Sequence, residues 1–156
     1  MNDDTIWTRP PVTAASALIL RSYERVVGRA LLPASGDPAE DARALFEAPF
    51  AVLAHGAQDD PVLFYGNALA LRLWSMSFEE FTRMPSRLTA EPMLREERQR
   101  LLAAAARKGF IDDYTGVRIA SDGRRFMIRD VTLWTLTDGD GAGRGQAARV
   151  PVWGSV

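Results

Sequence analysis

The hydrophobic and polar positions of this chain change period along its length, and the changes predict helices and strands in turn. Apolar residues recur every three to four positions between residues 12 and 32, which predicts an amphipathic helix with Ile19, Tyr23 and Val26 on its apolar face. From Phe50 to Gly56 the period falls to two, which is typical of a strand. The sequence therefore predicts that a helix precedes the first strand.

Polar capping residues mark where the next helices begin. Asp37, Asn67 and Ser77 each stand directly before a helical pattern, where a short polar side chain accepts a hydrogen bond from a free backbone N–H group. Asn67 also follows a second short strand, residues 62–66, so the chain passes from strand to helix there. The longest helix is predicted over residues 92–109 and ends at a glycine, as helices commonly do.

Two β-rich runs flank the dipeptide Asp122-Gly123 and predict a long antiparallel hairpin over residues 109–134. A two-residue loop would place Ile119 opposite Phe126, whereas a three-residue loop with a bulge would place Arg118 opposite Phe126. The two-residue loop pairs apolar residues with each other, so it is the favoured prediction, and the other register stays open.

The order of the elements is two strands, short helices, a longer helix and three strands, which is typical of a PAS-type sensor domain. It predicts an α+β fold: a PAS-like five-stranded antiparallel sheet with flanking helices and an N-terminal helical extension. We expect the extension to occupy residues 1–37 and the PAS-like domain residues 38–156. Residues 138–145 form a Gly-rich loop before the last strand, without the motif of a phosphate or calcium site.

Several segments extend this comparison to one family. Their order and spacing cover roughly residues 40–153, and they comprise residues 64–71, 84–87, 95–98, 109–126 and 145–148. In these segments the chain resembles the MEKHLA domain family, which is PAS-like and occurs fused to plant class III homeodomain leucine zippers and as small stand-alone bacterial proteins. The resemblance implies a non-catalytic sensory or interaction module of the stand-alone bacterial type, with no settled catalytic residues.

Length, composition and charge narrow the class of protein. A chain of 156 residues with 47% hydrophobic and 25% charged residues is ordinary for one globular domain. Its formal net charge of −1 lacks the basic excess of a nucleic-acid binder, so no direct nucleic-acid partner is expected. The apolar run at residues 17–20 is stopped by Arg21, so we expect no signal peptide, no membrane span and a cytoplasmic protein.

Cysteine and histidine content restricts the cofactors. The chain has no cysteine, which excludes a covalent flavin adduct and a thioester-linked chromophore. His55 is the only histidine, so no structural zinc site can be assembled, and a hydrogen-bonded strand residue is favoured over a haem ligand. The cofactor, if there is one, stays unknown.

Aromatic and arginine side chains near the central strands are the candidate ligand contacts. We expect a pocket for a small molecule to be lined by these residues, with the first of them shaping the turn into the first pocket helix: Asn67, Trp74, Arg87, Tyr114, Arg118 and Trp134. The ordinary alternatives are core packing for the tryptophans and surface salt bridges for the arginines. The charged run at residues 95–100 is interpreted as a solvated helix face.

A small enzyme of the cone-shaped α+β type is the alternative function. In the favoured hairpin register Asp113 and Asp130 are diagonal neighbours, about 7 Å apart, on an otherwise apolar face. Burial there would raise the pKa of either carboxyl group and suit it to act as a general base. The element order speaks against this alternative, because residues 68–108 intervene between the second and third strands.

The predicted N-terminal helix also bears on assembly. Its apolar face would be costly to leave in water, so it must pack on its own sheet or on a second copy of the chain. The short, flexible segment at residues 33–36 favours a homodimer through this helix.

Overall fold

The computed structural model describes the backbone of residues 3–156 and the side chains of residues 5–91 and 96–156. Two short 3-10 helices, Asp3–Thr8 and Ser86–Thr89, accompany the main elements. These elements are α1 (Pro10–Val27), α2 (Pro38–Phe46), β1 (Ala51–His55), β2 (Leu63–Gly66), α3 (Ala68–Trp74), α4 (Phe78–Phe81), α5 (Pro92–Lys108), β3 (Phe110–Ile119), β4 (Arg125–Thr137), β5 (Gly143–Val150) and β6 (Val152–Ser155).

The strands form one antiparallel sheet in the order β2-β1-β5-β4-β3, and β6 pairs with β4. The predicted α+β fold with flanking helices is confirmed. The sheet has six strands because Pro151 separates β5, which pairs with residues 132–137 of β4, from β6, which pairs with residues 126–129. Proline has no N–H group to donate to a ladder, so the pairing breaks there.

The favoured hairpin register is wrong, and the alternative with a three-residue loop is confirmed. Arg118 lies opposite Phe126, and the backbone N–H of Ala120 donates to the carbonyl of Arg124 at 2.9 Å. Gly123 closes the loop with a φ of 86°, the left-handed conformation that glycine adopts without steric cost. A type I turn followed by such a residue is the usual three-residue hairpin loop.

Asp113 and Asp130 lie in irregular positions of this hairpin rather than on a buried face. Both are exposed, and their φ angles are 63° and 55°. The pairing of β3 with β4 shifts near both residues, between Ile111 and Tyr114 and again between Tyr114 and Gly116. A β-bulge displaces its extra residue from the regular alternation of faces. The predicted buried general base is therefore wrong.

The N-terminal helix covers its own sheet. α1 ends at Val27, five residues earlier than predicted, with Gly28 as its cap, and Ile19 and Tyr23 of its apolar face are almost wholly buried. The ring of Tyr23 meets Trp134 of β4 edge to face at 4.9 Å, and the Ser22 hydroxyl donates to the carbonyl of Thr137 at 3.0 Å. The apolar stripe is therefore buried within one chain. It gives no reason for a homodimer through this helix.

The sheet separates two hydrophobic cores. Phe50, Val52 and Ala54 pack in the core beneath α1 and α2, whereas Ala51 and Leu53 pack in the core beneath α3 and α5. The alternation predicted for the first strand is confirmed. None of the described helices is both long and apolar enough to cross a membrane.

Candidate functional site: a cavity between the sheet and helix α5

A small cavity lies in the core between the inner face of the sheet and α5. The volume of the cavity is about 40 Å³, which is room for roughly three waters. Leucine, isoleucine, valine and alanine side chains make most of its wall. The polar or aromatic side chains at the wall are His55, Trp74, Thr89, Arg98, Tyr114, Arg118 and Gln146.

Three of the six predicted ligand residues meet at this cavity. Trp74 comes from the end of α3, whereas Tyr114 and Arg118 come from β3, four residues apart on the same face of the strand. Arg118 is 8% exposed, its guanidinium donates to the carbonyl of Val117 at 2.8 Å, and it lies over the Tyr114 ring at 5.5 Å. The register of the three-residue hairpin loop places Arg118 opposite Phe126.

The other three predicted residues lie away from the cavity. Arg87 is exposed and pairs with Asp60, with an N–O distance of 3.2 Å. Trp134 is buried on the opposite face of the sheet against α1, because its strand alternates faces with the cavity residue Leu133. Arg87 therefore forms a surface salt bridge and Trp134 packs in the core, the ordinary alternatives for these residue types.

Asn67 is a fully buried hydrogen-bonding centre. Its side-chain N–H groups donate to the carbonyls of Leu45 and Phe50 at 3.0 and 2.9 Å, and its side-chain oxygen accepts from the backbone N–H groups of Val52 and Ala70 at 2.9 and 3.1 Å. The predicted helix cap is confirmed. Asn67 joins α2, β1 and α3, and so shapes the turn into α3 without lining the cavity.

The sequence interpretation missed Arg98. Glu96, Glu97, Gln99 and Arg100 are exposed, as expected for a solvated helix face, but Arg98 is 9% exposed and lines the cavity. The side chain of Arg95 lies outside the described residues.

A helical spacing could have identified Arg98. It precedes Leu101, Leu102 and Ala105 by three, four and seven positions, and these residues all pack toward the sheet. An arginine in the apolar row of a helix lies in the core or in a site.

The two buried guanidinium groups repel each other. Burial, followed by the positive charge of Arg118, lowers the pKa of Arg98 to about 10, while Tyr114 opposes this shift. Among the described residues, no aspartate or glutamate forms an ion pair with Arg98 or Arg118. The cavity wall therefore carries positive charge without a counter-ion from this part of the chain.

His55 faces the same cavity from the end of β1. Its Nδ1 lies 3.0 Å from the carbonyl oxygen of Gly56, and a carbonyl only accepts, so Nδ1 carries the proton in the neutral ring. Nε2 is then a hydrogen-bond acceptor, and it is buried without a partner in the part of the chain that the structure describes. Burial lowers the pKa of His55, the hydrogen bond to Gly56 opposes this, and the charge of Arg98 lowers it further.

This pKa shift predicts a pH-dependent stability. Above the ordinary value of 6.5 His55 is neutral in both states. Below it the unfolded chain takes up a proton that the folded protein does not. The free energy of unfolding should therefore fall from about pH 6.5 toward the lowered native pKa, by at most about 1.4 kcal/mol per pH unit.

Urea unfolding between about pH 5.5 and 7.5 measures this slope, and His55→Gln is the control because the chain has no other histidine. The slope should be present in the parent protein and absent in the variant. A slope that survives in His55→Gln would assign it to other groups.

The arrangement can bind a small molecule. No group of three or more metal-ligating side chains suited to a metal ion occurs among the described residues. The cavity offers cationic donors, one unpaired acceptor and apolar walls, which are the elements of a small-molecule recognition site.

Solved structures with this fold are PAS and light-oxygen-voltage domains. The PAS domain of a Colwellia psychrerythraea protein aligns with a TM-score of 0.64 and 15% identity, over 71% of this chain and 92% of that chain. A PAS domain from a two-component sensor histidine kinase aligns with a TM-score of 0.53 and 18% identity, over 67% of this chain and 85% of that chain. The fungal blue-light photoreceptor Vivid, in its light-state dimer, aligns with a TM-score of 0.54 and 15% identity, over 67% and 78%.

At these identities the likeness establishes the fold, and this protein has a PAS-type domain with a cavity on the inner face of its sheet. The chain belongs to the MEKHLA domain family, which matches residues 13–155 and so includes most of α1. No curated protein matches the chain in sequence. The family and the fold support a non-catalytic sensory module over the cone-type enzyme.

Proposed function

We propose that this protein is a sensory module that binds a small molecule in the cavity between the sheet and α5. The observation that carries the proposal is the cavity itself, at which Arg98 and Arg118 are buried without a carboxylate partner among the described residues and Nε2 of His55 is buried without a hydrogen-bond partner there. Unpartnered buried polar groups are costly, and proteins keep them mainly where a ligand or water completes them. The contacts we propose from the predicted set are Trp74, Tyr114 and Arg118.

Strand β4 provides a route from the cavity to the outer face of the sheet. Val131 and Leu133 line the cavity, whereas Trp134 and Leu136 pack in the core beneath α1. A ligand that shifts β4 would change the contact between Trp134 and Tyr23. We propose that α1 transmits occupancy of the cavity to a partner protein.

Native mass spectrometry of protein purified from its own host tests the ligand proposal. The expected result is a mass above that of the chain by one retained small molecule, which is lost on denaturation. A mass equal to the bare chain, together with no ligand-dependent change in hydrogen exchange of α1, would contradict the proposed function.

The same spectrum reports assembly. A homodimer remains our prediction. We no longer propose α1 as its interface, because the apolar face of α1 packs on its own sheet. The exposed large hydrophobic residues Val152 and Trp153 of β6 lie on a strand that, within the described chain, pairs only with β4. Light scattering at micromolar concentration should give a dimer that Trp153→Arg weakens. A monomeric parent protein would show the prediction to be wrong.

A further inference from the structure

The two buried arginines have no counter-ion among the described residues. Charged side chains are rarely buried to the extent of Arg98 and Arg118, at 9% and 8% exposure, unless an opposite charge accompanies them. Arg118 donates to the neutral carbonyl of Val117 at 2.8 Å and to the hydroxyl of Tyr114 at 3.5 Å, and it lies over the Tyr114 ring. Arg98 has no hydrogen bond to another described residue. An anion in the cavity would supply the opposite charge.

We infer that the cavity binds a small hydroxycarboxylate, an organic monoanion with a hydroxyl group beside its carboxylate. The inference rests on the proposed function and specifies its ligand. Guanidinium groups bind carboxylates through paired, charge-assisted hydrogen bonds, and Arg98 of α5 and Arg118 of β3 both line the cavity. Their combined charge favours the carboxylate over a neutral ligand.

His55 specifies the hydroxyl group. Because Nδ1 donates to the Gly56 carbonyl, Nε2 is left as the hydrogen-bond acceptor of a residue that lines the cavity, and it has no partner among the described residues. A plain carboxylate offers no donor to it, whereas the hydroxyl group of a hydroxycarboxylate does. A site built to accept from a hydroxyl rejects the analogue that lacks it, because the buried acceptor is then left unpaired.

Cavity size and wall chemistry restrict the ligand further. Room for roughly three waters corresponds to a ligand of about five non-hydrogen atoms, since bonded atoms lie closer together than neighbouring waters. The rest of the wall includes Leu63, Leu101 and Ile128, which offer no partner to a second charged group. Glycolate has the required size, charge and hydroxyl group, and is the probe for the test.

The test is calorimetric titration of the full chain with four probes. Glycolate should bind saturably. Acetate, which lacks the hydroxyl group, should bind about 10-fold more weakly. The neutral amide glycolamide should show no binding. Inorganic phosphate should bind more weakly than glycolate, and tighter binding of phosphate would overturn the carboxylate assignment.

Substitutions locate the binding. Arg98→Met and Arg118→Met should each weaken glycolate binding by about 10- to 100-fold, the loss expected for a charge-assisted partner. Arg100→Met is the matched control on the exposed face of α5 and should leave the affinity unchanged. His55→Phe should remove the difference between glycolate and acetate.

A conservative variant and a second measurement keep the test decisive if a methionine variant does not fold. Arg118→Lys keeps the charge but not the paired donors, and should retain part of the affinity. For every folded variant, the thermal midpoint should rise with glycolate in proportion to its calorimetric affinity. Equal affinity in the parent protein and in both methionine variants would overturn the inference.

The outcomes separate this inference from the proposed function. A neutral or apolar molecule retained in native mass spectrometry, with no glycolate binding, overturns the hydroxycarboxylate assignment and leaves the sensory module intact. Absence of both a retained molecule and glycolate binding overturns both.

Discussion

Replacing Asn67 with alanine should reduce the free energy of unfolding by about 3 to 5 kcal/mol, because its four hydrogen bonds have no substitute in the core. The variant leaves the carbonyls of Leu45 and Phe50 and the N–H groups of Val52 and Ala70 without their side-chain partner. Natural domains have only about 5 to 15 kcal/mol to lose. Denaturant unfolding followed by circular dichroism measures the change.

Ser77→Ala is the matched control for this prediction. Ser77 caps α4 as Asn67 caps α3, but it is exposed and its side chain accepts only from the N–H of Glu80. Its loss should reduce the free energy of unfolding by about 1 kcal/mol. Equal losses in the two variants would mean that Asn67 acts only as a helix cap and not as the link between α2, β1 and α3.

Replacing Arg98 with methionine should raise the free energy of unfolding of the ligand-free protein by about 1 to 3 kcal/mol. Methionine fills a similar space, packs against Leu101 and Leu102, and removes a buried charge that has no counter-ion among the described residues. A purely structural arginine would instead destabilise the protein when removed. The sign of the change therefore distinguishes a binding group from a structural one.

Arg100→Met is the matched control, two residues away on the exposed face of α5. Its free energy of unfolding should stay within about 0.5 kcal/mol of the parent protein. Thermal and urea unfolding at neutral pH, without added anions, measure both variants. A loss of stability in Arg98→Met would show that this guanidinium stabilises the fold, against the expectation.

Signals that act over a few residues were sufficient for most of the secondary structure, though not for β6 or for the end of α1. The caps at Asn67 and Ser77 depend on side chains that bond within the next three residues, so the sequence shows them directly. The alternation of β1 and the long helix α5 follow from local periodicity in the same way. The resemblance in segments spread over residues 40–153 added the MEKHLA family.

The hairpin register could not be predicted from local signals. Apolar pairing of Ile119 with Phe126 favoured a two-residue loop. In the structure Gly123 adopts the left-handed conformation as the third residue of the loop, and Arg118 lies opposite Phe126 instead of Ile119. Both registers satisfy the turn chemistry of Asp122-Gly123. The choice depends on the pairing of β4 with β5 and β6 and on the packing of Phe126 against Trp74, which are contacts distant in sequence.

The sequence by itself determined the order of the elements, their caps, the absence of cysteine chemistry and three residues of the candidate site, Trp74, Tyr114 and Arg118. The tertiary structure alone decided which face each side chain occupies. It placed Trp134 under α1 and Arg98 at the cavity, because docking of α1 and α5 on opposite faces of the sheet defines those faces. Periodicity reports that a face is apolar, but it does not report what packs against it.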